Sequence, residues 1–396
     1  MKILQIGTID KAGGAAQVSW DLKMELEKRG HFVSMFVSDR VSDDKNVFKI
    51  PPTFPKQQIV SRVLANDIDF YRTDYILKTK EFQEADIVNC HNLHCYFFNL
   101  DTLRKISEKK PIVWTLHDLW SISSRCAYPS EDSLKNGFFH CGDLNHYPPM
   151  EWHNEKYLAW KKSRIYAKTR LNLVTPSLWL KNLVARSVLE NKPCQVINNG
   201  IDTSIFRQHN KQDCRQELGW PEDKKIILFL ASGGNADPRK GWQYTQDLVE
   251  TITDKQSFLF ICVGGKQEDK TRDNLWFIPK SRNRNLLAKY FSASDVFLFP
   301  SLADNFPLTV LESMACGLPV VGFDTGGVTE EVEHLKTGYV AKYKNIDDLR
   351  SGIEYILHLD TEKLSAMKQQ CVERVAANFT VEKMTDQYLS LYESLL

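Results

Sequence analysis

Pro300-Ser301-Leu302-Ala303-Asp304-Asn305-Phe306-Pro307-Leu308-Thr309-Val310-Leu311-Glu312-Ser313-Met314-Ala315-Cys316-Gly317-Leu318-Pro319-Val320-Val321 sets two carboxylates around a loop that turns into a helix. The apolar run Val296 to Phe299 just before it reads as a strand ending at Pro300. Leu308, Leu311 and Ala315 fall on one helical face, Gly317 stops the helix, and Pro319 to Gly322 begins another strand. Strand, helix and strand in this order form the repeating unit of a doubly wound parallel sheet. The first-turn amides have no acceptor inside the helix, and together with the helix dipole they favour an anion. Asp304 and Glu312 can accept hydrogen bonds from hydroxyls but repel a phosphate in direct contact. A ligand with hydroxyls at one end and phosphate at the other, a nucleotide sugar, satisfies both demands.

Working outward, the same alternation runs from the first residue. Lys2 to Gly7, Phe32 to Val37, Asp86 to Cys90, Ile112 to Leu116, Leu171 to Val174 and Cys194 to Ile197 read as strands, with amphipathic helical patterns such as Val18, Leu22 and Leu26 between them. A second series follows at Lys225 to Ala231, Phe258 to Val263, Leu275 to Ile278 and Val296 to Phe299. The polar segment Asn198 to Glu222 reads as a linker, because turn residues replace periodicity there, and puts a boundary near Ile201. Asp118 to Met150 is long and aperiodic, the signature of a functional or mobile loop. The last pattern, Val381 to Leu396, is helical.

A chain of 396 residues suggests two domains, and 42% apolar residues can fill two cores. Lys and Arg total 51 against 50 Asp and Glu, which gives no electrostatic case for nucleic-acid binding. The opening Met1-Lys2-Ile3-Leu4-Gln5-Ile6-Gly7 lacks the apolar core of a signal peptide, and no apolar run approaches a membrane span. A cytoplasmic protein is expected, with peripheral contact to the inner face of the plasma membrane left open. The nine cysteines show no C-x-x-C pair and fit a reducing compartment better than a disulfide framework. Cys90, His91, His94 and Cys95, then Cys126, His140, Cys141 and His146, are ligand types for zinc, but their irregular spacing favours buried thiols and loop imidazoles.

Several shorter motifs carry chemistry. Gly13-Gly14-Ala15-Ala16 follows the first strand and opens a helix, which lets backbone approach a ligand closely; a plain tight turn uses the same residues. Ser232-Gly233-Gly234 and then Arg239-Lys240-Gly241 follow a second-series strand and set two cations where open sheets bind ligands. Such charge would stabilise a departing diphosphate, with Lys240 the first choice and Arg239 the second. His117-Asp118 ends a strand and can offer an imidazole to a ligand, or form a structural hydrogen bond. Lys161-Lys162-Ser163-Arg164 with Trp160 and Tyr166, and Arg62, Arg72, Tyr71 and Tyr75, could face anionic lipid, although a solvated helix face explains them better, since an interfacial helix needs both an apolar face and a basic bias. Neither G-x-G-x-x-G nor G-x-x-x-x-G-K-[ST] occurs, which argues against a dinucleotide oxidoreductase and an NTPase.

The stretch from Pro300 to Val321 resembles the paired-acid signature of retaining GT-B glycosyltransferases of the group 1, family 4 type, found in bacterial polysaccharide synthesis. In that signature two Glu are separated by seven positions; Asp304 takes the first place and Glu312 the second. Asp304 is one methylene shorter than the usual Glu, Pro307 replaces a small residue, and Asn235 stands where many relatives carry an Arg. Gly13-Gly14, His117-Asp118, Asn199-Gly200-Ile201-Asp202, Arg239-Lys240-Gly241 and Gly326-Gly327 follow in the family's order. The resemblance implies two Rossmann-like α/β domains facing a cleft: residues 1–200 for the acceptor, joined by a C-terminal helix at 380–396, and residues 201–379 for the nucleotide sugar. It implies Glu312 on the ribose, Asp304 and His117 on the donor hexose, and Asn305, Phe306 and Pro307 lining the sugar. The amides of Leu308, Thr309 and Val310 would face the diphosphate, with Pro307 contributing none. Neither a cofactor nor a metal is implied. The donor would be a UDP- or GDP-sugar, and the acceptor a saccharide or a polyprenyl-diphosphate-linked saccharide. A sugar-nucleotide epimerase of this fold and a catalytically silent sugar-nucleotide-binding subunit remain as alternatives.

Overall fold

In the computed structural model, which describes residues 1–230, 237–251, 256–264 and 274–396, the apolar runs form two separate parallel sheets. The chain divides into one unit of Met1–Asn199 with Val381–Leu396 and a second of Gly200–Thr380. The fold is GT-B, two Rossmann-like α/β units in one chain.

The first unit holds β1 (Lys2–Ile9), β2 (Phe32–Asp39), β3 (Val47–Lys49), β4 (Ile87–Cys90), β5 (Ile112–Thr115), the hairpin pair β6 (Leu134–Lys135) and β7 (Phe138–Phe139), β8 (Asn172–Thr175) and β9 (Cys194–Val196). Apart from the hairpin, they form one sheet in the order β3-β2-β1-β4-β5-β8-β9, with every pairing parallel. Strand β1 lies inside this sheet, with Ile3 opposite both Val33 and Ile87, and Ile3, Leu4 and Ile6 are buried, as a strand covered on both faces requires. The sheet order turns back between β1 and β4, and open sheets bind ligands at the carboxyl ends of strands around such a point. Those ends lead into Gly13-Gly14 and into His91 to Cys95, with His117-Asp118 beyond β5.

The second unit holds β10 (Lys225–Leu230), β11 (Phe258–Val263), β12 (Leu275–Ile278), β13 (Val296–Phe299), β14 (Val320–Phe323) and β15 (Gly338–Ala341), in the order β12-β11-β10-β13-β14-β15. Its reversal lies between β10 and β13, so the loop opened by Pro300 leaves the sheet at the switch point. Strand β15 has no long apolar run to announce it; Gly338 begins it because a Cβ there would come within 2.1 Å of the Val320 carbonyl oxygen.

One segment departs from the sequence reading. Asn198 to Glu222 is not a linker throughout: Lys211–Leu218 is a helix, with Asn210 capping its start and Gly219 its end. The turn residues are its caps, and its inward face is polar. Arg215 is buried there and meets the equally buried Asp295 at 2.9 Å, which hides the helix from an apolar-periodicity test. The terminal helix Val381–Leu395 packs on the first unit, where Tyr392 Oη accepts from Asn89 Nδ2 at 2.8 Å and Tyr388 Oη lies 2.9 Å from Thr115 Oγ1. Among the described residues no helix is long and apolar enough to cross a membrane.

Candidate functional site

In the second unit, the Pro300 loop is held from two sides by glycines that no other residue could replace without strain. Gly241, at φ 71°, would set a Cβ 1.9 Å from the Pro300 carbonyl oxygen. Gly326, at φ 55°, would set one 1.7 Å from the carbonyl oxygen of Asp304. Both need left-handed backbone and the absence of a side chain. The turn Pro238–Lys240 docks on the loop, because the Leu302 amide donates to the Arg239 carbonyl at 2.7 Å. Lys240 Nζ then reaches Asp304 Oδ2 at 2.7 Å, and Ser301 Oγ donates to the same oxygen at 2.8 Å. Arg239 is spent differently: its Nε and Nη2 hold the Asp237 carboxylate at 3.0 and 2.7 Å.

Pro307 caps the Leu308–Ala315 helix, which buries Leu308, Val310, Leu311, Glu312, Met314 and Ala315. Asn305, Phe306 and Glu312 are all buried, and Phe306 meets the ring of Phe379 edge-on at 5.5 Å. The Val310 amide already donates to the Pro307 carbonyl at 3.1 Å. The amides of Leu308 and Thr309, ahead of any intrahelical acceptor, therefore carry the anion-attracting character of this end. Ser232, Gly233, Gly234 and Asn235 lie outside the described residues.

In the first unit, Gly13 takes φ 92° ahead of the Gly14–Lys28 helix, and neither Gly13 nor Gly14 has a neighbour within 4 Å of where a Cβ would stand. Gly13 is there for backbone conformation rather than close packing. His117 is buried and its Nε2 lies 2.9 Å from His91 Nδ1, with the two rings stacked. Burial pushes the His117 imidazole down to about 4; the Asp118 carboxylate opposes that shift and His94 adds to it, so the ring is neutral at neutral pH. Asp118 accepts from His94 Nε2 at 2.9 Å, Asn92 Nδ2 at 3.2 Å and the Trp120 amide at 2.9 Å. Burial alone would raise its pKa, but the His94 charge and these bonds bring it below the ordinary range. His91, Asn92 and His94 thus support His117-Asp118. Their sequence signal was the histidine cluster after β4, which the zinc question had absorbed.

The aperiodic stretch from Asp118 to Met150 is organised around a buried cation. Arg125 donates to the carbonyls of Leu144, His146 and Pro148, each at 3.2 Å, and of Asp143 at 2.6 Å. A guanidinium with five fixed donors can hold a loop that no apolar period describes. Cys126 and Cys141 are joined in a disulfide with Cα atoms 6.0 Å apart, which corrects the expectation of uniformly reduced cysteines. Their sulfurs are therefore committed to each other rather than to zinc. Among the described residues no group of three His, Cys, Asp or Glu could hold a metal. The basic run at Lys161 to Arg164 is not one solvated or lipid-facing stripe either. Lys162 is fully buried, donates to the Trp120 and Ser123 carbonyls at 2.6 and 3.1 Å, and sits 3.8 Å over the Trp120 ring. Tyr71 and Tyr166 are buried too.

The family model for glycosyl transferases group 1 matches residues 210–374, and that for glycosyltransferase family 4 matches residues 12–205. The chain belongs to the group 1, family 4 glycosyltransferases. It is 25% identical to the Escherichia coli K12 protein WcaC, which is named as a colanic acid biosynthesis glycosyl transferase, over the full length of both chains. It is 23% identical to the D-inositol 3-phosphate glycosyltransferase of Mycobacterium marinum, covering 98% of this chain and 83% of that one. Sucrose-phosphate synthase from Thermosynechococcus elongatus superposes with a TM-score of 0.73 at 18% identity, covering 100% of this chain and 99% of the other. The Anabaena protein Alr3699/HepE in complex with UDP-glucose superposes with a TM-score of 0.70 at 16% identity, covering both chains entirely.

Proposed function

We propose that this glycosyltransferase moves a hexosyl unit, with retention of anomeric configuration and without a metal, from a nucleoside diphosphate sugar to a saccharide or polyprenyl-diphosphate-linked saccharide. On this reading it works in the synthesis of a bacterial surface polysaccharide, at the cytoplasmic face of the membrane. The observation that carries the reading is the Lys240–Asp304 contact at 2.7 Å, at the head of the helix that buries Glu312. It joins a cation for the leaving diphosphate to an acid for the sugar. An ammonium has three donors, so Lys240 can keep Asp304 and still reach a phosphate oxygen. Support for a UDP-sugar comes from Alr3699/HepE, solved with UDP-glucose; a GDP-sugar is the other candidate. Support for a polysaccharide product comes from the name of WcaC.

Asp304 and His117 are assigned to hydroxyls of the donor hexose, Glu312 to the ribose, and the Leu308 and Thr309 amides to the diphosphate. Asn305, Phe306 and Pro307 line the sugar, and Gly13-Gly14 lets backbone approach the donor. A neutral imidazole has one donor and one acceptor nitrogen, and with His117 Nε2 against His91 a sugar hydroxyl would meet the other nitrogen, as donor or acceptor according to the tautomer. As the bond from the anomeric carbon to the diphosphate breaks, the acceptor oxygen bonds that carbon on the same face, and its proton passes to the departing phosphate oxygen. Such a route depends on positioning and charge stabilisation rather than on a carboxylate nucleophile. NMR of the first-formed glycoside tests it: the product is expected to keep the donor's anomeric configuration, and inversion would overturn the roles given to Asp304 and His117.

A further inference from the structure

The loop after β4 carries a thiol that the transfer reaction does not use. Cys95 Sγ lies 2.8 Å from His94 Nδ1 and 2.6 Å from Tyr147 Oη, while His94 Nε2 is held by Asp118 Oδ2 at 2.9 Å. Sulfur, imidazole and carboxylate stand in line, with nucleophile, proton carrier and orienting acid each within hydrogen-bond reach of the next. Burial would lower the His94 pKa, but Cys95 and Asp118 raise it well above the ordinary histidine value, so the ring favours its charged form beside the sulfur. Cys95 takes φ 79° and Tyr96 φ 65°, two successive non-glycine residues in left-handed backbone. Such conformations persist only where the surroundings fix them.

The other free cysteines lack this setting. Cys90, Cys214, Cys262, Cys316 and Cys371 are buried, and burial pushes the Cys90, Cys316 and Cys371 thiols well above the ordinary cysteine value. Cys194 is partly exposed, as Cys95 is, yet burial pushes its thiol up, and its thiol lies by Lys181 and Thr175 rather than an imidazole. Cys95 is itself only partly buried.

We propose that Cys95 is a reactive thiol, activated by His94 and oriented through Asp118, that undergoes exchange with low-molecular-weight disulfides. The sulfur attacks one sulfur of the small disulfide. A mixed disulfide forms at Cys95, the original S–S bond breaks, and the departing thiolate takes the electron pair and the proton carried by His94. No further oxidant is needed, since the small disulfide is reduced as Cys95 is oxidised. The exchange puts a redox-responsive group one residue from the His94–Asp118 pair and ties up, in a mixed disulfide, the sulfur that His94 Nδ1 faces.

The full chain, freed of reductant, is treated with glutathione disulfide or with dithiobis-nitrobenzoate, and labelling at each cysteine is followed over time by peptide mass mapping. Cys95 is expected to react first, at least about tenfold faster than Cys194, and Cys95→Ser to lose the fast phase. His94→Asn is expected to bring Cys95 down to the rate of Cys194. Equal rates at Cys95 and Cys194 in the unsubstituted chain would overturn the proposal, as would an unchanged fast phase in folded His94→Asn. If His94→Asn fails to fold, the comparison of the two thiols within the unsubstituted chain still decides.

Discussion

Lys240 and Arg239 are adjacent cations with different partners, and the partners separate their roles. Lys240 shares Asp304 with Ser301, inside the loop that the transfer reading gives to the sugar, whereas Arg239 closes on Asp237 two residues away. Lys240→Ala is therefore expected to lower kcat by about 100- to 1,000-fold, the usual loss when one preorganised donor to a developing charge is removed. Arg239→Ala should cost less. Steady-state rates at saturating donor, with thermal melts as a control for folding, check both. The second residue-scale consequence concerns pH. His117 titrates near 4 in the fold, against an ordinary value of about 6.5, so between those values the unfolded chain binds a proton that the folded chain refuses. Stability from this group is expected to fall as pH drops from about 6.5 to 4, by roughly 3 kcal/mol in all. The imidazole should remain neutral by NMR at pH 5.5. A midpoint near 6.5 would contradict the buried, neutral assignment.

At the scale of elements, the Lys211–Leu218 helix shows a polar interior standing in for an apolar one. Arg215 is buried and bridges Asp295 Oδ2 at 2.9 Å, and it also donates to the carbonyls of Ala293, Pro221, Glu222 and Lys224. Asp295 in turn accepts from the Ile226 amide at the start of the adjoining strand β10. Arg215→Ala strips the charge from a network that ties helix, loop and sheet together, and is expected to destabilise the second unit by about 3 to 5 kcal/mol. Denaturant unfolding checks the figure. The same logic explains why sequence patterning missed the helix: an inward guanidinium reads as surface in any apolar count. Arg125 was passed over and Lys162 read as a surface charge for the same reason, since each buries its charge against backbone carbonyls.

For the molecule as a whole, the transfer reading places cations and helix-end amides where another architecture would use a divalent ion. Transfer is expected to survive dialysis against EDTA with its rate unchanged within error. Activity lost on chelation and restored by added metal, with stoichiometric metal found by elemental analysis, would overturn that part of the reading. The alternation of strand and helix was legible because parallel strands covered on both faces must be apolar throughout, as Ile226 to Phe229 and Val296 to Phe299 are. Strands β3 and β15 were not, being three and four residues long with mixed burial.

The sequence by itself determined the α/β class and the family, through apolar runs, glycines at forced turns and the spacing of Asp304 and Glu312. These are local signals, carried by residues within a turn or two of each other. Only the tertiary structure decided which charged groups face inward, that Lys240 meets Asp304 across 64 positions, and that His91 and His94 stand behind His117 and Asp118. It also decided the pairing of Cys126 with Cys141. Partner choice across long separations depends on which strands become neighbours, and no local period records sheet order. A buried charge looks like a surface charge until its partner is in place, because the cost of burying it is offset only by contacts that the folded chain supplies.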